Sequence, residues 1–198
     1  MTPQTVEVLD HSPVETGRED AQQTAQQAGA GSGTAKAAMA QQDLVRYVPA
    51  GTGPVYRGPG DQLTFLITGK DTGGAFFLAE MSVPPGGGTP PHIHQREEES
   101  FNLLEGTLTV QVGKDTLTAS PGDFVYLPRG IAHSFKNTGD VNAKALVLIT
   151  PAGLEGFFAE VFDPDVDRFA APPPPSKELI ARALAAAPRY GLEFLPPA

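Results

Sequence analysis

The stretches GGGTPPHIHQREEESFNLLEG, residues 86–106, and GDFVYLPRGIAHSFKN, residues 122–137, decide the fold of this chain. The first contains two histidines separated by one residue and a run of three glutamates, and the second contains another histidine. Three imidazoles and a carboxylate form a common ligand set for one divalent transition metal. The two stretches therefore predict a metal site.

The spacing of these residues suits β-strands. His92 and His94 are two residues apart, and residues i and i+2 of a strand point to the same face. The preceding prolines favour extended backbone. Glu99 begins the next strand and His133 lies on a later one, so a closed sheet can bring all four side chains together. Such a set suits Fe, Mn, Ni, Co, Cu or Zn rather than Ca or Mg.

The region around these ligands has the pattern of short strands. Residues 63–68 and 75–81 are apolar runs bounded by glycine and proline, and residues 106–112 alternate with period two. Many short strands with turn residues every 8 to 12 residues or so are typical of a sandwich or barrel. We therefore expect an all-β fold.

Composition divides the chain into three segments. Residues 1–43 have almost no large apolar side chain, so they cannot bury enough surface to offset the entropy of ordering. We expect a disordered tail there, a β-barrel over residues 44–150, and a C-terminal helical extension that packs on the barrel over residues 151–198.

Two short helices are predicted in the extension. Ser176 can cap one of them over residues 177–187, which Pro188 ends, after an extended spacer at residues 172–175. Their simplest role is to cover an end or edge of the sheet, and the alternative is a lid over the metal pocket. The other helix is indicated by apolar residues at i, i+3, i+4 and i+7, namely Leu154, Phe157, Phe158 and Val161.

Composition also excludes several classes of protein. There is no cysteine among the 198 residues, which excludes disulfides, thiolate zinc sites and thiol catalysis. A formal net charge of -9 argues against nucleic acid and anionic membranes as partners. Neither a spanning apolar run nor a signal peptide is visible, so we expect a cytoplasmic protein.

The two stretches resemble the two-block pattern of the cupin superfamily, which implies a double-sheet jelly roll, the double-stranded β-helix. Only 15 residues separate the blocks, as in compact single-domain members. Residues 54–61, 151–158 and 190–193 look like proteins described as quercetin 2,3-dioxygenase-like. All ten fixed positions of the pattern are matched, namely Gly86, His92, His94, Glu99, Gly106, Gly122, Pro128, Gly130, His133 and Asn137.

The pattern also separates Glu99 from its neighbours. The resemblance allows either Glu98 or Glu99 on the histidine side, but the six-residue gap to the closing glycine fits only Glu99. Strand periodicity agrees, because Glu99 shares a face with Phe101 and the other apolar residues of its run. Glu97 and Glu98 are expected to be solvated, with a supporting role behind the metal ligands as the alternative.

Other residues near the ligands have weaker indications. Phe77, Phe101 and Phe135 are candidates for lining a substrate pocket, with ordinary core packing as the alternative for each. Asn137 is expected to form a turn, and Arg129 to be an exposed turn residue.

The resemblance alone does not select a reaction, since such proteins include dioxygenases, isomerases, decarboxylases and plain binding modules. Binding of phosphosugars or oxalate calls for Lys or Arg inside the barrel. Here the basic residues lie mostly in apparent turns, and Lys136 is on the strand face opposite His133. An apolar or aromatic small molecule is therefore the favoured substrate.

We therefore expect a metal-dependent dioxygenase that acts on an apolar enediol, flavonol-like or catechol-like compound. Glu99 would be both ligand and catalytic base. The alternatives are a non-catalytic metal-binding or small-molecule-binding cupin, and a metal-dependent isomerase or decarboxylase.

A homodimer or larger closed oligomer is also expected. Both faces of the run at residues 75–81 carry apolar side chains. One face can line the barrel and the other needs a cover, for which a second subunit and the C-terminal helices compete.

Overall fold

The structure, a computed structural model, describes residues 45–165 and 176–196. The predicted tail at residues 1–43 and the predicted spacer at residues 172–175 lie outside the described residues. The limits of the three segments stay predictions.

Twelve strands are present within the described residues, and every pairing between them is antiparallel. Most of the predicted apolar runs form strands at or within two residues of their expected positions. The strands are β1 (Val55–Arg57), β2 (Gln62–Ile67), β3 (Phe77–Val83), β4 (Gly88–His94), β5 (Glu98–Glu105), β6 (Leu108–Val112), β7 (Asp115–Ala119), β8 (Phe124–Leu127), β9 (His133–Lys136), β10 (Ala143–Thr150), β11 (Asp163–Asp165) and β12 (Leu192–Phe194).

The strands form two sheets that share one core. The larger sheet has the order β11-β1-β2-β3-β10-β5-β8, and the smaller has the order β12-β4-β9-β6-β7. Alternation fixes the inner faces: Phe77, Ala79 and Met81 on β3 are buried, whereas the residues between them are half-buried. Phe101 from the larger sheet meets Phe135 from the smaller edge-on, with ring centroids 5.3 Å apart. The predicted all-β fold is confirmed.

Asn137 joins the end of the smaller sheet to the larger one. Its Nδ2 donates hydrogen bonds of 2.8 Å to the carbonyl oxygens of Val83 and Val141. Its Oδ1 accepts one of 2.9 Å from the amide of Gly139. The side chain is fully buried, and unpaired polar groups in such a position are costly. The predicted structural role of Asn137 is therefore confirmed.

The predicted C-terminal helices are confirmed as α2 (Glu155–Val161) and α3 (Lys177–Ala186), and a four-residue helix that was not predicted, α1 (Gly69–Thr72), precedes them. The Ser176 hydroxyl accepts a hydrogen bond of 3.0 Å from the amide of Leu179 and so caps α3. A 3-10 helix, Ala187–Tyr190, follows α3 and leads into β12. Among the described residues, no helix has the length and apolar character needed to cross a membrane.

Candidate metal centre and its cavity

Three strands carry the predicted ligands. β4 supplies His92 and His94, β9 supplies His133, and β5 supplies Glu99. His92 lies directly opposite His133 in the pairing of β4 with β9, after a register shift that begins at Thr89. Because side chains alternate along a strand, both histidines of β4 point to the interior.

The structure brings the four predicted residues together. One donor atom from each lies within 4.8 Å of the others, in an arrangement that could hold a metal ion. Nε2 of His92 is 3.0 Å from Nε2 of His94, and Nε2 of His133 is 3.2 Å from Oε2 of Glu99. All four residues are buried, with exposures between 2% and 7%.

Backbone carbonyls orient two of the imidazoles. Nδ1 of His92 is 2.9 Å from the carbonyl oxygen of Pro90, and Nδ1 of His133 is 3.0 Å from that of Ile131. A carbonyl oxygen only accepts, so each Nδ1 carries a proton. Nε2 of His92 is then left with a lone pair, whereas Nε2 of His133 faces the Glu99 carboxylate and presents its lone pair only after it loses the proton that it donates to Glu99. The Nε2 lone pair of His92 faces Nε2 of His94 at a distance of 3.0 Å. Two nitrogens this close need a proton or a cation between them. The residues present therefore fit a divalent metal.

Burial keeps two imidazoles neutral. It lowers the pKa of His92 to about 3, with the nearby His133 and His94 adding to the effect. Burial likewise lowers the pKa of His94. Neutral imidazole is the form that binds a metal, so both residues are ready to bind at neutral pH.

His133 and Glu99 form a coupled pair. Burial alone would lower the pKa of His133, but the hydrogen bond to Glu99 and the Glu99 charge outweigh it and raise that pKa. Burial alone would raise the pKa of Glu99, but the bond to His133 and the nearby histidines outweigh it and lower that pKa. Glu99 is therefore ionised at neutral pH.

An apolar cavity of about 80 Å³ reaches this site. His92, His94 and Glu99 lie in its wall together with Phe77 and Phe135. Phe101 is not among the described residues that line it. No Lys or Arg side chain of the described part of the chain lines it either.

The C-terminal extension closes the cavity. Phe157 and Phe158 of α2, Phe162 after it, Ala183 of α3 and Phe194 of β12 all line the cavity wall. Phe194 pairs with His92 in the register of β12 against β4. The extension therefore covers one end of the barrel and also forms part of the pocket that contains the histidines.

One further cavity residue, Asp61, was not indicated by any sequence pattern. It precedes β2, lines the same cavity and is only 5% exposed. Burial raises its pKa to about 7, and the charge of Glu99 adds to this. An aspartate that follows Gly-Pro-Gly looks like an ordinary solvated turn residue, and only the folded structure shows that it is internal.

The prediction for Glu97 was wrong. Glu97 is 3% exposed, its Oε2 has no hydrogen-bond partner among the described residues, and burial raises its pKa. Glu97 precedes β5 and does not line the cavity, so its burial comes from the segment between β4 and β5. Glu98 is half-exposed and lies 3.6 Å from the exposed Arg129, as expected for both.

Comparison with known proteins agrees with this geometry. Residues 79–149 match the cupin domain family. The quercetin 2,3-dioxygenase of Bacillus subtilis is 31% identical over 106 residues, which are 53% of this chain and 31% of that protein. That of Aspergillus japonicus is 34% identical over 101 residues, 48% of this chain and 29% of that protein. The chain thus spans about a third of these relatives.

Solved structures agree on the fold. KdgF from Halomonas sp. matches with a TM-score of 0.50 at 16% identity, over 57% of this chain and 99% of that chain. Two antiparallel sheets around a shared core, with four inward donors on three of their strands, define a cupin jelly-roll domain. The barrel of this chain therefore contains a cupin domain, matched at residues 79–149.

Removal of one donor should separate metal binding from folding. We expect His133→Ala to lower metal affinity at least about tenfold, the scale seen even for outer partners of metal sites. The fold should persist because the core is apolar. The matched control, Glu98→Gln, changes a half-exposed neighbour and should keep full metal content by elemental analysis. Full occupancy in His133→Ala, or loss in Glu98→Gln, would contradict this ligand set.

Metal binding should weaken as the pH falls through the pKa of His133, which is raised above the usual 6.5 of an imidazole, because one proton competes with the metal. His92 and His94 are already neutral, so His133, whose pKa is raised, must lose its proton before it can ligate. Affinity is therefore constant above the pKa of His133 and falls below it. A titration against a chelator should give a slope of about one proton per metal. A flat profile, or a slope near three, would contradict this.

Proposed function

We propose that this protein is a metal-dependent dioxygenase acting on an apolar enediol, flavonol-like or catechol-like compound. The observation that carries the proposal is an apolar cavity that contains donors of the metal centre and, among the described residues, no Lys or Arg. The similarity to two quercetin 2,3-dioxygenases supports the same substrate class.

His92, His94, His133 and Glu99 would hold the metal, which when bound would supply a Lewis-acidic centre for the substrate oxygen. Glu99 is the residue suited to remove the substrate's hydroxyl proton, because it is ionised and its oxygen lies 3.2 Å from Nε2 of His133. The hydroxyl proton of the substrate would move to the Glu99 carboxylate, which lies beside His133. The apolar wall excludes water from this transfer.

The cavity requires the C-terminal cover to move for a ring compound to enter. Its volume is about 80 Å³, whereas an apolar cavity of about 150 Å³ is needed to hold benzene. The barrel strands are fixed by backbone ladders, and the cover is the part that can yield. A flavonol would therefore bind by displacing residues of the cover such as Phe162 and Ala183.

The cavity chemistry also separates the alternatives. An isomerase of sugar phosphates or a decarboxylase of dicarboxylates must bind an anion, and a buried anion needs a cationic partner. A non-catalytic cupin would bind the same uncharged compounds without consuming oxygen. Oxygen uptake therefore distinguishes the dioxygenase from the binding module.

Glu99→Gln keeps an oxygen ligand but removes the base. We expect oxygen uptake with a flavonol or catechol to fall about 10²–10⁴-fold per bound metal, the usual cost of losing a general base. Glu98→Gln is the matched control and should keep wild-type uptake. Activity is expressed per metal because the substitution also weakens metal affinity.

Two results would defeat the dioxygenase proposal. One is the absence of oxygen uptake by the wild type with every flavonol and catechol in several reconstituted metal forms. The other is anaerobic turnover of a sugar phosphate or a dicarboxylate, which would establish an isomerase or a decarboxylase.

We further propose a homodimer through the outer face of the larger sheet. Leu78, Leu148, Ser100 and Tyr126 lie opposite one another on four adjacent strands and so share this face. Leu148 is 36% exposed and Tyr126 52%. Phe157 of α2 and Ala183 of α3 line the cavity instead.

Light scattering at micromolar concentration should give twice the mass of one chain. Leu148→Asp should shift the mass to that of a monomer, because a charge cannot be buried there without a partner. Val141→Asp, at an exposed position before β10, should stay dimeric. A monomeric wild type would contradict this proposal.

A further inference from the structure

Asp61 is held at the cavity by a turn that is attached to the histidine strand. The amide of Gly58 donates a hydrogen bond of 2.9 Å to the Asp61 carbonyl oxygen, which closes the turn. The amide of Gly88 donates one of 3.1 Å to the carbonyl oxygen of Gly60. Gly88 is the first residue of β4, the strand that carries His92 and His94. The position of Asp61 is therefore fixed relative to the metal centre.

Glycine at position 58 leaves the space that the Asp61 carboxyl occupies. A Cβ on Gly58 would lie 2.8 Å from Oδ1 of Asp61. Asp61 lies outside the group of four donors, yet it lines the same cavity as three of them. It is therefore placed to meet a molecule bound at the metal centre rather than the metal itself.

The Asp61 carboxyl is buried without a compensating partner. No described residue donates a hydrogen bond to it, so burial and the Glu99 charge together hold its pKa near 7. A buried, unpaired carboxylate is strongly disfavoured, whereas a protonated carboxyl can donate a hydrogen bond. An isolated polar group in an otherwise apolar wall typically fixes the orientation of a ligand.

We propose that Asp61 is a substrate-positioning residue that donates a hydrogen bond to a carbonyl oxygen of an uncharged hydroxy-carbonyl compound. This rests on the proposed function, in which a hydroxyl oxygen of the same compound lies at the metal centre. The absence of Lys and Arg from the described cavity wall also disfavours carboxylate and phosphate ligands there. Asp61 thus selects uncharged substrates that have one oxygen for the metal centre and a carbonyl oxygen for Asp61.

The test measures quercetin binding to the zinc-loaded protein under anaerobic conditions, so that binding is read without turnover. Asp61→Leu removes the hydrogen bond and should weaken binding about tenfold. Asp61→Asn keeps a donor of similar shape and should stay within about threefold of wild type. Zinc content should be unchanged in both. Asp115→Leu, at an exposed position on β7, is the matched control and should bind as wild type.

Wild-type affinity in Asp61→Leu, or an equal loss in Asp61→Asn, would overturn the positioning role. Loss of zinc from Asp61→Leu would also overturn it, because Asp61 would then support the metal centre. A wild type that does not bind quercetin would overturn the substrate class. A quercetin complex that consumes no oxygen when air is admitted, in any of several forms reconstituted with redox-active metals, would defeat the dioxygenase proposal alone, since the binding ratios among the zinc-loaded variants would still stand.

Discussion

The inward alternation of β4, β5 and β9 is the constraint on which the rest of the structure depends. His92 lies opposite His133 across the ladder between β4 and β9, and Glu99 reaches them from the other sheet. A slip of one residue in either sheet would turn the donors outward. The same alternation places Phe77 and Phe135 beside them. Metal centre and apolar cavity are therefore two consequences of one register.

This arrangement gives the cavity its electrostatic character. Two neutral imidazoles, an ionised Glu99 and the buried Asp61 face an interior from which the described Lys and Arg side chains are absent. Such a group of side chains can bind a cation, and their donor atoms converge at the metal centre. An anionic substrate would find no described Lys or Arg side chain in the cavity wall, and the metal alone would meet its charge. The absence of basic side chains thus favours both a metal at the donors and an uncharged substrate beside it.

Residues whose environment follows from local periodicity could be predicted, and residues that depend on closure of the fold could not. The inward position of Glu99 follows from the alternation of one strand, whereas the burial of Glu97 could not be predicted because Glu97 lies before that strand. Asp61 precedes its strand, and its burial depends on Phe162 and β4, which are distant in sequence. β12 has three residues, too few to show a period.

The two parts of the C-terminal cover are attached by different kinds of contact. β12 is held to β4 by three paired residues, extended by a hydrogen bond of 2.8 Å from the Leu195 amide to the Pro91 carbonyl oxygen. The helix α3 is held by the packing of Leu179 and Ala183 and by Arg182, which donates to the Val161 carbonyl oxygen and to Asp163. The exposed ion pair between Arg182 and Asp163 contributes little to the attachment of α3, about 0–1 kcal/mol. The ladder between β12 and β4, by contrast, must break as a unit. Entry of a ring compound should therefore displace α3 while β12 keeps Phe194 beside His92.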